Sequence, residues 1–364
     1  MSRVWLALSA LALLATLAIA CGHPPPTPTP TPAATPTEDP PTPTATPEPT
    51  ATPLPSVTPT LPPPTPIPTP SPTPTRAVPA GRPVAVVVEN DPRARPQTGL
   101  GDADVLYEAV AEWNLTRFVA VFLDRSAEVV GPVRSSRAYH AAIAAEYEAA
   151  FAHCLDVPPV AGVLAASKVV NLDGCHTKDP PGFFRDWSRD APHNLYVSVP
   201  ELRRLAGGQG TYGGLGKRQA WPPAGERVEQ ISFVYPEEHP VVWRYDPDRR
   251  EYLRWQDDEP HLDVAGRQVS ASSVVVQFVA IRHSSYWGEA GYHELTVTGR
   301  GDAILYAEGQ KRAAIWRRGS YADPTRYFDA RGEEIPLPPG QVFVQLVGQG
   351  TPIEELPSRG GNPP

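Results

Sequence analysis

The sequence predicts an α+β fold, an N-terminal mixed α/β domain followed by a smaller, mainly antiparallel β domain. Three observations predict it. The unbroken apolar run Val84-Ala-Val-Val-Val88 has the character of a strand buried on both faces. Tyr139, Ile143, Tyr147, Phe151 and Cys154 recur at mostly four-residue steps, the spacing of one helix face. Beyond residue 229 the chain consists of short strand-like runs broken by Gly, Pro and Asp signals, with no helical stripe.

The 364 residues allow two or three domains, but the first 80 contribute nothing to a core. Residues 1–20 read as a signal peptide, with Arg3 followed by an almost wholly apolar stretch to Ala20. Ala18-Ile-Ala-Cys21 has the form of a bacterial lipobox, which makes Cys21 the lipidated N-terminus; the alternative is an ordinary cleaved signal with a chance cysteine. The apolar run is short for a membrane span. Residues 21–80 are Pro and Thr with little else and hold half of the 48 prolines. Such a segment cannot bury a core and is expected to be disordered, a semi-rigid spacer reaching at most about 180 Å at 3.1 Å per residue. The protein is thus expected to be extracytoplasmic, held to the bacterial membrane through Cys21.

The net charge of −8 lies almost entirely in the head that follows. An acidic surface argues against nucleic acid as a partner and requires any anion site to be a local basic pocket. Besides Cys21 only Cys154 and Cys175 remain, either bridged or as two buried thiols.

Within residues 81–210, the first strand ends in the polar run Glu89-Asn90-Asp91-Pro92. Residues 103–112 and 115–123 then read as a hairpin. With Trp113-Asn114 as a two-residue turn, Glu108, Val110 and Glu112 share a face with Leu115 and Arg117, and Arg117 opposes Val110. Gly131-Pro-Val-Arg134-Ser135-Ser136-Arg137 precedes the helical stripe. Ser135 or Ser136 is expected to cap that helix, and Arg134 and Arg137 beside a helix start suit a phosphate, sulfate or carboxylate. Phe184 to Tyr196 concentrates Asp186, Arg189, His193 and Asn194 in one loop. His193 follows a proline and is placed as an acid, a base or a hydrogen-bond donor; the bland alternative is that His193 and Asn194 tie down their own loop.

The Gly-rich run Gly207 to Gly216 follows a helix and lacks a Gly-Lys-Ser/Thr ending, so it is read as a linker, 211–228, and not as a phosphate loop. Residues 229–350 form the β-rich C-terminal domain, and 351–364 are expected to be a disordered tail. Trp243, Tyr245, Tyr252 and Trp255 either line a carbohydrate groove or form the core of this domain.

Several ordered motifs carry a resemblance: Arg82-Pro-Val-Ala-Val, Ala94-Arg-Pro-Gln-Thr-Gly99, Ala103-Asp-Val-Leu-Tyr-Glu-Ala109, Gly131-Pro-Val-Arg-Ser-Ser-Arg137, Ala191-Pro-His-Asn-Leu-Tyr196 and Leu337-Pro-Pro-Gly-Gln341. Together they resemble the YerB-like lipoproteins of bacteria. The resemblance implies a membrane-anchored, two-part ectodomain and supplies no reaction. Gly-Gly is expected where Trp113-Asn114 stands, so the turn is a point of departure.

No zinc-protease helix motif, Gly-x-Ser-x-Gly elbow, P-loop or CxxC pair occurs, and no metal or cofactor is expected. The candidate ligand-binding set is Arg117, Arg134, Ser135, Arg137, Asp186, Arg189, His193 and Asn194, with Glu108, Glu112 and His193 as candidate acid-base residues. Two functions follow. One is binding of an anionic or glycan envelope ligand, such as a cell-wall polymer, or of an envelope protein. The other is a hydrolase or transferase acting on an envelope polymer. A purely structural role, with the arginines paired to Glu108, Glu112 or Asp186, is the alternative to both.

Overall fold

The computed structural model describes residues 81–357 apart from 177–179, 212–213, 216–217, 223–224, 236–238 and 285–291. The signal peptide, Cys21 and the stalk lie outside the described residues. The strand β1 (Val84–Glu89) is buried along its whole length, as its apolar run predicts. It pairs antiparallel with β3 (Thr116–Phe122), which pairs antiparallel with β2 (Val105–Val110). After helix α1 (Ala138–Glu146), β4 (Ala150–His153) joins β1 in parallel, and β5 (Val170–Asp173) joins β4 in parallel beyond α2 (Pro158–Ala165). A short hairpin of β6 (Phe183–Arg185) and β7 (Leu195–Val197) and the helix α3 (Val199–Ala206) complete this half.

The helix α1 is shorter than the stripe predicts. Tyr139, Ile143 and Tyr147 do form a buried row, but the helix stops at Glu146, Glu148 adopts a left-handed φ of 46°, and Phe151 belongs to β4. The four-residue step persists across the break because a buried strand begins directly after a buried helix face. Cys154 and Cys175 are joined as a disulfide with Cα atoms 4.9 Å apart, linking the ends of β4 and β5. For their separation of 21 residues the chain-entropy model gives about 3 kcal/mol.

The strands of the later half divide between two sheets, one of which is shared with the first half. Strand Val342–Gly348 pairs in parallel with β2 and with Ser273–Ser284, so one sheet runs from Arg326–Phe328 through Gln310–Arg318, Gly299–Ala307, Ser273–Ser284 and Val342–Gly348 to β2, β3, β1, β4 and β5. The described residues are therefore mostly strand, with three α-helices. A second, smaller antiparallel sheet contains Gln230–Tyr235, His239–Asp246 and Glu251–Gln256. Its edge is Glu354–Leu356, within the stretch expected to be a disordered tail. That strand is held because Glu355 accepts from Tyr306 Oη (2.6 Å) and pairs with Lys311, while Ile353 packs on the core.

The two sides of β2 and β3 meet different layers. Tyr107 bonds Tyr147 at the end of α1 (2.7 Å), whereas Glu108 and its cross-strand partner Phe118 face the second sheet. Trp243 and Tyr252 are fully buried, and Trp243 meets Phe343 edge-on, so these aromatics are core and not a groove lining. Trp255 lies under the Arg244 guanidinium, 4.5 Å from ring to carbon.

Candidate functional site

A cleft of about 650 Å³ opens at the end of β1 and the β2–β3 turn, lined by Glu89, Asp91, Arg93, Glu112, Trp113, Leu115, Thr116, Arg117, Arg134 and Arg137. Each polar side chain arrives there for a local reason. Glu89 is the last residue of β1 and lies directly across from Arg117 of β3. The segment through Arg134 lies along β1, with Glu89 N–H donating to Pro132 O (2.9 Å) and Arg134 N–H to Val87 O (3.0 Å). Gly131 permits this course, since a Cβ there would stand 2.7 Å from the Tyr196 ring and 2.8 Å from Leu195 O. Arg134 Nε then donates to Glu89 Oε1 at 2.7 Å.

Glu112 receives two guanidiniums. Arg117 Nη2 lies 2.8 Å from its Oε2, and Arg137 Nε donates to its Oε1. Burial pushes the Glu112 carboxyl up, but Arg117 and Arg137 outweigh it and hold Glu112 below the ordinary range. Burial and the neighbouring Arg137 charge both weaken the hold of Arg117 on its proton. Asp91 takes Arg93 in a two-point pair (3.0 and 2.7 Å), and that hydrogen bonding lowers its pKa to about 2. Four arginines thus meet three carboxylates in the cleft, and the surplus positive charge sits on the Arg117–Glu112–Arg137 triad.

The turn differs from the predicted two-residue form. Glu112–Asn114 is a single 3-10 turn with Trp113 at a left-handed φ of 55°. Arg117 consequently opposes Ala109, not Val110, and a one-residue change of register exchanges the faces of a strand. Glu108 therefore points away from Arg117 and out of the cleft. It is fully buried, pairs with Arg254 at 2.7 Å and accepts from Thr116 Oγ1 (2.7 Å) and Asn90 Nδ2 (3.2 Å). It is a structural residue, not an acid or base.

The helix start lacks the serine cap the sequence suggested. Neither Ser135 nor Ser136 caps α1. The residue before the helix is Arg137, whose N–H donates to His140 Nδ1 at 3.1 Å. Burial, with Arg117 and Arg137 nearby, keeps His140 neutral, as an acceptor at Nδ1 must be. Ser135 contributes its carbonyl, which accepts from Arg117 Nη1 (3.2 Å). The basic character of the cleft comes from its guanidiniums.

The 184–196 loop borders the cleft. His193 Nδ1 lies 2.9 Å from Glu89 Oε2, so His193 and Arg134 grip one buried carboxylate. Arg189 donates to Arg95 O (3.0 Å), Pro96 O (3.2 Å) and Tyr196 Oη (2.8 Å). Asn194 is buried, accepts from Arg185 (2.7 Å) and donates to Arg189 O (3.3 Å), which ties down its own loop. Asp186 is half-buried and closes a turn by accepting from Ser188 N (2.9 Å) and Oγ (2.6 Å).

Sequence reasoning passed over Glu89 and Asp91. Their signal was the polar run ending an apolar strand, where alternation sends Glu89 and Asp91 to the cleft and Asn90 to the opposite side, onto Glu108, Thr116 and Gln256. Glu89, Asp91 and His193 each offer a possible metal-ligand atom, all within 4.8 Å of one another. The carboxylates are already engaged by Arg134 and Arg93, and no ion is assigned to them.

Residues 68–212 match the model of the N-terminal domain, and residues 231–344 that of the C-terminal domain, of a protein family described as of unknown function, DUF3048. The YerB lipoprotein of Bacillus subtilis (strain 168) is 28% identical over 278 residues, covering 73% of this chain and 81% of that relative. The crystal structure of the Bacillus subtilis YerB protein shares the fold with a TM-score of 0.65 at 24% identity, over 75% of this chain and 94% of that one. With both family domains in order along one chain and that relative spanning them, the protein belongs to the YerB-like lipoprotein family.

Proposed function

We propose that the cleft binds an anionic group on a cell-envelope ligand, with the head held outside the membrane by the stalk and a lipidated Cys21. The observation that carries this is the triad in which Arg117 and Arg137 share Glu112. Two guanidiniums on one carboxylate leave a positive charge in a mostly buried setting, and an entering anion would supply the missing partner. A phosphate or carboxylate on a glycan serves this chemistry, as does an acidic side chain of an envelope protein. Calorimetric titration with N-acetylglucosamine 1-phosphate tests it. Binding should weaken as salt rises, because part of the cleft is open to solvent, and absence of heat at any salt concentration would reject the reading for sugar phosphates.

A second reading, a hydrolase or transferase working on an envelope polymer, draws on the His193–Glu89 pair. A buried carboxylate on Nδ1 orients an imidazole, the arrangement that acid-base chemistry uses. Turnover of a wall-derived polymer that Glu89→Gln abolishes would favour it. Equal turnover by the two proteins would remove the pair from any mechanism.

A further inference from the structure

We infer that the anion cleft is one end of a longer groove, and that its ligand is a saccharide of several rings carrying a single anionic group at one end. This rests on the anion-site reading and gives the ligand a length and a polarity. A second cavity of about 490 Å³ adjoins the cleft at Arg93 and is lined by Ser188, Arg189, Asp190 and His193. A third, also about 490 Å³, adjoins the second at Ser188 and Arg189 and is lined by Phe184, Asp186 and Tyr196. The first cavity alone falls within the range that holds a whole small ligand, about 300–1,000 Å³. Three in series exceed the needs of a lone phosphate.

Charge changes along the groove. Arginines outnumber carboxylates in the first cavity, whereas beyond it Arg93 is already taken by Asp91 and Arg189 is accompanied by Asp186 and Asp190. An anion is therefore favoured at the Arg117–Arg137 end only, and a polyanion would meet carboxylates along the rest. What the far end offers is a flat apolar face. Phe184 is 43% exposed and lies nearly parallel to Tyr196, with ring centroids 6.0 Å apart. Between the two ends Arg189 is fixed by carbonyl oxygens of residues 95 and 96 and by the Tyr196 hydroxyl, a preformed polar floor. An anion pocket, a polar floor and an aromatic face in line match a phosphate or carboxylate, ring hydroxyls and the C–H face of a sugar.

The experiment is calorimetry with chito-oligosaccharides of one, two and four rings, each bearing one phosphate on the reducing end, and the neutral four-ring sugar as control. Affinity should rise at least about tenfold from one ring to four, one aromatic contact's worth and more. The neutral sugar should bind at least about tenfold more weakly than its phosphorylated counterpart. Phe184→Ala, at unchanged melting temperature, should erase the gain from length while leaving one-ring binding as it was, and Phe184→Tyr should restore it. Equal affinity at all lengths, or an equal loss at all lengths in Phe184→Ala, would overturn the groove and leave the anion site standing. No binding of even the one-ring phosphate would overturn both.

Discussion

Glu108 and Glu112 lie four residues apart and reach opposite chemical environments. Glu108 sits one-to-one with Arg254, both wholly buried, and Phe118, Trp243 and Phe343 surround that guanidinium. The network continues through Gln256, His261 and Gln97, joining β2 and β3 to the second sheet. Its charges are balanced and nothing can enter. Glu112 sits one-to-two, shared by Arg117 and Arg137, at the edge of an open cleft. Matched, sealed charge is a device for holding layers together; mismatched charge beside solvent-filled space is a device for receiving an ion. The residue types are the same, and stoichiometry and access separate the roles.

The largest effect should come from breaking the sealed pair. Arg254→Ala leaves Glu108 buried without its counter-charge, and should cost about 3–5 kcal/mol in a denaturant titration, while a joint apolar replacement of both should recover most of it. A loss below about 1 kcal/mol would mean that water reaches Glu108 after all. In the open region, Glu112→Gln should raise affinity for N-acetylglucosamine 1-phosphate by about tenfold, since removing one nearby negative charge adds to the surplus. An acid-base role for Glu112 predicts the opposite phenotype, loss of turnover with no gain in binding.

Trp113 sharpens the contrast from the backbone. It is 72% exposed and holds a left-handed φ that glycine adopts freely. Trp113→Gly should therefore stabilise the head by about 0.5–1 kcal/mol, relief of strain partly offset by unfolded-chain entropy. Destabilisation would show that the ring packs more than its exposure indicates. The smallest effect belongs to Asp91, whose hydrogen bonds to Arg93 lower its pKa to about 2. Its contribution to stability is complete above the ordinary carboxylate range near pH 4 and is lost as pH falls through about 2. A carboxyl NMR titration of Asp91 should show that low midpoint, and one near 4 would show that the exposed Arg93 does not hold it.

The strand β1 and the separate candidates Arg117, Arg134, Arg137, Glu112 and His193 were legible in the sequence, because an apolar run and dense polar loops are local signals, whereas their meeting at the end of β1 was not. Glu108 was misplaced by the turn: Trp113 in a 3-10 conformation shifts the hairpin register by one residue, and propensity did not foretell it. The partners of Glu108 were out of reach for another reason. The counter-charge Arg254 comes from a strand 146 residues later, and its arrival depends on the second sheet packing over β2 and β3. The continuous main sheet was hidden likewise, since the pairing of Val342–Gly348 with β2 joins two halves that composition and the Gly-rich stretch separate.

The most direct test of the claim that surplus charge makes the cleft an anion site is calorimetry of N-acetylglucosamine 1-phosphate with the native head and with Arg137→Ala. Arg137 is the second guanidinium on Glu112, and its removal leaves Glu112 paired to Arg117 and the main-chain cap to His140 in place. The account predicts an unchanged melting temperature and at least about a tenfold loss of affinity, the cost of a charge-assisted hydrogen bond. Equal affinity in the two proteins would contradict it.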